Sequence, residues 1–211
     1  VIASKNLNFS LGIRSDNTLY SWGVNTAGQL GQGDLVQRSS PTQIGTSSWI
    51  QVSAGSFAAA IRSDGGLFTW GNGAQGQLGQ NDAVSRSSPV QVGTSSWTAV
   101  ATSDGTGAAI RLDGGLFTWG LNNAGQLGQN DVTARSSPVQ LGASSWTAVS
   151  TGQLSTLAIR TDGALFAWGY NLFGQIGNNS TVNVTSPIQL GASSWTVISA
   201  GNQWSTALRS D

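Results

Sequence analysis

Apolar positions fall in short runs broken by glycine and proline, and no window keeps the 3.6-residue spacing of a helix face. The runs recur at a fixed period. A Trp-Gly pair stands at Trp22, Trp70, Trp119 and Trp168, at steps of 48, 49 and 49 residues, and a Gly-Gln-Leu-Gly-like tetrad starting at Gly28, Gly76, Gly125 and Gly174 keeps the same steps. Self-similarity at this period marks a repeat architecture.

One repeat reads as four short strands. The first is a brief apolar run, Val52 to Ala54 or Val197 to Ala200, ending at Gly55, Gly152 or Gly201, with Ser103 in the third copy. The second is Ala58 to Arg62, with counterparts ending at Arg111, Arg160 and Arg209. The pairs Asp64-Gly65, Asp113-Gly114 and Asp162-Gly163, with Asp16-Asn17 in the first copy, predict tight hairpin turns through positive φ values. The third strand is Leu67 to Trp70, whose Phe68 and Trp70 share a face. Pro41, Pro89, Pro138 and Pro187 are expected to open the fourth strand, because proline donates no ladder hydrogen bond. A long loop holding the tetrad precedes each proline, and Trp49, Trp97, Trp146 and Trp195 introduce the next repeat.

Four strands per repeat predict an all-β fold, a β-propeller of four-stranded blades. The expected blades are residues 1–48, 49–96, 97–145 and 146–194, with 195–211 forming the first half of a fifth. Eight of the nine tryptophans, Trp22, Trp49, Trp70, Trp97, Trp119, Trp146, Trp168 and Trp195, occupy repeat positions and are expected to pack blade on blade. A buried aromatic removes ~150–250 Å² from water, worth at most about 4–6 kcal/mol, against ~0–1 kcal/mol for a surface ion pair. A half blade leaves open edges, so the chain is not expected to close the ring alone. Either it is a segment of a longer protein or neighbouring chains complete the sheet. A start at Val1 and the absence of methionine point to a processed product or a piece.

Composition narrows the function. The 211 residues carry 9 basic and 9 acidic groups, with no strong field to draw nucleic acid or an acidic membrane. No apolar run is long enough to span a bilayer as a helix. Histidine, cysteine and glutamate are all absent, so neither a Ser-His-Asp triad nor an imidazole or thiolate metal site can be built, and no enzyme, cofactor or metal site is expected. Asp16, Asp64, Asp113, Asp162 and Asp211 read as turn formers. In the long loops Asp34, Asp82 and Asp131 lie four residues before Arg38, Arg86 and Arg135, while the fourth copy has Ser180 and Val184. These pairs read first as local loop-ordering contacts, and second as a ring of charge facing a partner or calcium. Asn8, Asn178, Asn179 and Asn183 fit the glycosylation acceptor pattern at a frequency chance explains.

Trp22-Gly23-Val24-Asn25, Gly28-Gln29-Leu30-Gly31, Pro41 and Ile61-Arg62-Ser63-Asp64-Gly65, each repeated, resemble the regulator of chromosome condensation repeat family over essentially the whole chain. The resemblance implies a β-propeller, usually of seven blades. Its members include a nuclear exchange factor for a small GTPase, plant ultraviolet-B receptors, secreted inhibitors and bacterial or viral proteins of unassigned role, the last being closest in character to this chain. Members commonly carry histidine after the first strand, where this chain has Ala58, Thr106, Ser155 and Trp204, which weakens an exchange-factor surface. A single tryptophan outside the repeat positions, Trp204, argues against light sensing.

Two functions follow as expectations. The first is a non-enzymatic structural or adhesive module on a virus particle, on a cell surface or secreted, contacting a protein partner or neighbouring copies through its loops. The second is an intracellular regulatory propeller, an exchange factor or protein-binding scaffold.

Overall fold

The computed structural model describes residues 2–3, by backbone alone, and residues 8–210. Val1, where the sequence starts, and Asp211, read above as a turn former, lie outside the described residues. Among the described residues there is no helix. Strands β1 (Ile2–Ala3), β2 (Phe9–Ile13), β3 (Leu19–Gly23) and β4 (Arg38–Gln43) form one antiparallel sheet in that order. The remainder are β5 (Trp49–Ala54), β6 (Phe57–Arg62), β7 (Gly66–Gly71), β8 (Arg86–Thr102), β9 (Thr106–Arg111), β10 (Gly115–Gly120), β11 (Arg135–Thr151), β12 (Ser155–Arg160), β13 (Ala164–Gly169), β14 (Val184–Ala200) and β15 (Ser205–Arg209). They pair consecutively, from β5 to β15.

The three long strands change partner midway. In β8, Ser96 faces Gly66 of β7 while Trp97 faces Arg111 of β9. In β11 the switch falls between Ser145 and Trp146, and in β14 between Ser194 and Trp195. Each long strand therefore ends one four-stranded group and opens the next. In the three internal groups the second strand is buried on both faces, as in β6, where Ala58, Ala59 and Ala60 are small enough for neighbouring groups to close on either side. The cores accordingly span joints: Leu11, Leu19 and Leu30 of the first group cluster with Val52, Ala58 and Trp70 of the second.

The structure corrects three local expectations. Only the glycine of each Asp-Gly pair has positive φ, +87° at Gly65, and Gly65 N–H closes a turn on the carbonyl of Arg62. Since Ile61 still faces Leu67, the connection is a three-residue loop with a left-handed third residue rather than a two-residue one. Asn17 takes that conformation in the first copy, at +66°. Secondly, the prolines do not open the fourth strand: Arg38 and Arg86 do, and Pro41 and Pro89 lie within it. They are tolerated because the ladder breaks there, between the pairs Thr69–Val90 and Gly71–Arg86. Thirdly, the residue in register with Thr106 and Ser155, each opposite the glycine that ends the third strand, is Phe57 and not Ala58.

Candidate functional site

Three of the four long loops are built around a buried asparagine. Asn25 Nδ2 donates to the carbonyls of Asp34 (2.9 Å) and Val36 (3.1 Å), while its Oδ1 accepts from Leu30 N–H at 2.9 Å. Asn122 and Asn171 repeat these bonds in their own loops. The second copy has Gly73 there, where a Cβ would come within 2.2 Å of the Val84 carbonyl, so the loop backbone fills the space instead. The sequence shows Asn25, Asn122 and Asn171 three residues after a tryptophan, and that periodicity is the signal by which their role could have been found.

The structure closes the three aspartate–arginine pairs within single loops: Arg38–Asp34 at 2.6 Å, Arg86–Asp82 at 2.5 Å and Arg135–Asp131 at 2.6 Å. The N–H groups of Val36, Val84 and Thr133 hold these carboxyls below the ordinary carboxylate range, and the arginines add to the effect. Between each pair an aliphatic side chain stands in solvent: Leu35 and Val36 in the first loop, Val84 in the second, Val132 in the third. Val182 does so in the fourth, where Ser180 Oγ replaces the carboxylate and accepts from Val182 N–H at 3.1 Å. The loops thus present apolar groups on frames whose charge is internally cancelled.

The repeat tryptophans divide into two kinds. Trp70, Trp119 and Trp168 cross the joints, their indole N–H groups donating to the backbone carbonyls of Gln29, Gln77 and Gln126 in the preceding group at 2.8–2.9 Å. Their rings lie against the last glycine of the tetrad: a Cβ on Gly31 would sit 2.8 Å from Trp70 Nε1, and one on Gly128 2.8 Å from Trp168 Nε1. The tetrad, read above only as a repeat marker, is the socket for the next group's indole. Trp49, Trp97 and Trp146 are also buried, edge-on to Phe68, Phe117 and Phe166 at 5.3 Å, but their N–H groups have no acceptor. Trp22 and Trp195, in the terminal groups, are only half-buried.

At the hairpins, Arg62, Arg111 and Arg160 lie over the Phe68, Phe117 and Phe166 rings while bonded to Asp64, Asp113 and Asp162. Those arginine hydrogen bonds, followed by the N–H groups of Gly66, Gly115 and Ala164, bring the three carboxyls down to about 2. Just beyond the C-terminal ends of β8, β11 and β14 a cavity of about 470 Å³ is lined by Ser103, Asp104, Gln153, Asn202 and Trp204 among others. No three acidic, histidine or cysteine side chains come together among the described residues.

A model of the regulator of chromosome condensation (RCC1) repeat matches residues 16–61, 64–110, 113–159 and 162–208, and a second model of the same repeat matches 2–29 and 146–175. The first windows begin at the hairpin aspartates and so run half a structural group out of phase. Human WBSCR16 superposes with a TM-score of 0.90 at 23% identity, over 99% of this chain and 57% of that one. Prp20p from Saccharomyces cerevisiae, in a structure described together with its binding to Gsp1p and histones, gives 0.86 at 17% identity, over 98% and 55%. Yeast Prp20 bound to Kap60 gives 0.85 at 16%, over 100% and 54%. The chain thus spans slightly more than half the length of these proteins. No curated protein sequence matches it significantly.

Proposed function

The chain belongs to the regulator of chromosome condensation (RCC1) repeat family, and from that premise we propose that it is a non-enzymatic protein-binding module. Its partner-facing surface is the set of loops 24–37, 72–85, 121–134 and 170–183. The observation that carries this reading is the loop construction: exposed Leu35, Val36, Val84, Val132 and Val182 are held on backbone frames each fixed by a buried asparagine, a closed ion pair or both. Apolar groups on a rigid frame suit a protein contact, which recovers their burial without first ordering the loops.

The setting favoured by the structural neighbours is the intracellular regulator, since Prp20p binds Gsp1p, histones and Kap60. Near-identical repeats and the absence of oxidisable cysteine and methionine support the other setting, a structural or adhesive module at a virus or cell surface. In either setting the array is a section of a larger ring, seven blades in the family pattern. That proposal draws on the coverage of just over half the neighbours' length. Nucleotide release from purified small GTPases separates the two settings. Acceleration by the chain, lost in Val36→Asp/Val84→Asp, establishes the regulator; recovery of the chain in purified particles or a secreted fraction, with no acceleration, establishes the surface module.

A further inference from the structure

The long loops follow one plan in the first three groups and depart from it in the fourth. Each of the first three holds one aspartate and one arginine joined across the loop, Asp34–Arg38, Asp82–Arg86 and Asp131–Arg135, all partly exposed. The fourth loop, residues 170–183, lacks both members: Ser180 and Val184 stand in their places, and no charged residue lies between Asp162 and Arg209. Its frame is kept all the same. Asn171 Nδ2 donates to the carbonyls of Ser180 (2.9 Å) and Val182 (3.1 Å), and Asn178 Oδ1 accepts from it at 3.0 Å, where the carboxylates of Asp34 and Asp131 do so in the first and third loops. Asn183 Oδ1 accepts from the Asn171 N–H at 2.9 Å. Neutral amides thus take the place of the ion pair.

On this frame the apolar groups are larger. Leu172 stands where the other loops have Thr26, Ala74 and Asn123, and Tyr170, edge-on to Phe173, where they have Val24, Asn72 and Leu121. Leu172 is 57% and Val182 70% exposed, and the Asn171 bond to the Val182 carbonyl ties their two segments together. That exposure does not depend on the fourth group standing near the end of the chain. Thr26, Ala74 and Asn123, like Val36, Val84 and Thr133, are exposed with the following group in place.

We propose that the fourth loop is the centre of the partner-facing surface and receives an uncharged segment of a protein partner bearing a leucine- or phenylalanine-sized side chain. The inference rests on the loop reading above and adds where, and by what chemistry, the contact is made. Covering an ion pair strips water from two charges, a cost that their attraction often fails to repay. Covering Leu172, Tyr170 and Val182 strips water from no charge and gains apolar burial. Interface centres are accordingly poor in charge and surrounded by a polar rim, which here is supplied by the three loops that keep their ion pairs. An acidic or basic segment would find no counter-charge on the fourth loop.

The test is a methyl and amide NMR titration of the 211-residue chain with N-acetyl-leucinamide and, separately, N-acetyl-lysinamide, at low and high salt. The leucine probe is expected to shift Leu172 and Val182 with an affinity about tenfold above that of the lysine probe, unchanged by salt. Leu172→Ser, an exposed substitution that leaves the fold intact, should weaken it about tenfold. Stronger shifts at Leu35, Val36, Val84 and Val132 than at Leu172 would overturn this assignment while leaving the loop surface in place. Shifts at no loop, or confined to Trp195 beside the end of the chain, would overturn both. Equal affinity for the lysine probe, loss of the shifts in high salt, or partition of the chain onto phosphatidylcholine vesicles through Leu172 would each overturn the uncharged protein segment as the occupant.

Discussion

The joint between β7 and β10 and the open face beyond β14 use residues in the same register and leave them in opposite states. Ile110 faces Ala99 across the β8–β9 ladder and is 2% exposed; Leu208 faces Val197 across the equivalent β14–β15 ladder and is 61% exposed. Trp97 is sealed against Phe117, while its counterpart Trp195 is half-buried. The β14–β15 pairing keeps the register of β8–β9, including the shift that follows the tryptophan. Strand pairing is thus set within a group, and burial is set between groups.

The largest test of that separation is truncation at the two places. Trp119→Ala and Ile110→Ala should lower the unfolding free energy by about 3–5 and about 2–5 kcal/mol, respectively. Leu208→Ala should change it by no more than about 0.5 kcal/mol. Urea unfolding measures all three, and a Leu208 cost equal to that of Ile110 would mean the open face is covered in solution. Alanine at the tetrad glycines comes next. Gly31→Ala and Gly177→Ala share the strain of a positive φ, but only the first places a Cβ 2.8 Å from an indole nitrogen, so it should cost about 1–3 kcal/mol more. Equal costs would remove the indole socket from the account.

A smaller effect separates the two kinds of tryptophan. Trp119→Phe withdraws a donor from the Gln77 carbonyl, whereas Trp97→Phe removes an N–H that has no acceptor, so the first should be the costlier by about 1 kcal/mol. For the hairpin carboxyls the sign follows from a lowered native pKa. Asp64, Asp113 and Asp162 are held at about 2 by their arginines, against an ordinary value near 4. Their contribution is complete above that ordinary value and is lost as the pH falls through about 2. The Asp113→Asn variant should therefore show a shallower loss of thermal stability between pH 4 and 2 than the parent, read by melting scans. The smallest effect belongs to the loops. Asp131→Ala removes an ion pair but leaves the Asn122 bonds to the Asp131 and Thr133 carbonyls, so proteolysis in loop 121–134 should rise only slightly, and far more in Asn122→Ala.

The repeat, its strands and the turn positions could be read directly from Trp-Gly, Asp-Gly and Gly-Gln-Leu-Gly, because each is a backbone requirement that local residue types reveal. The proline was misplaced for an instructive reason. Exclusion from a ladder points to a strand's start, whereas Pro89 is accommodated inside β8 by a break in register that depends on the partner strand β7. The Asp34–Arg38 spacing announced a contact, and the contact is local. Asn25 gave only a periodic position, three residues after a tryptophan; its three carbonyl and N–H partners, up to 11 residues away, are what make it the centre of its loop.

By itself the sequence determined an all-β repeat chain with a Trp-Gly third strand and no residues for imidazole or thiolate chemistry. Those properties reside in short segments and in composition. Which tryptophans have hydrogen-bond acceptors and why the tetrad needs glycine were decided only by the tertiary structure. The reason is that each socket and its indole lie in different groups, about 40 residues apart, as Gln77 and Trp119 do. Their fit depends on how one sheet stacks against the next, a relation that no single repeat contains.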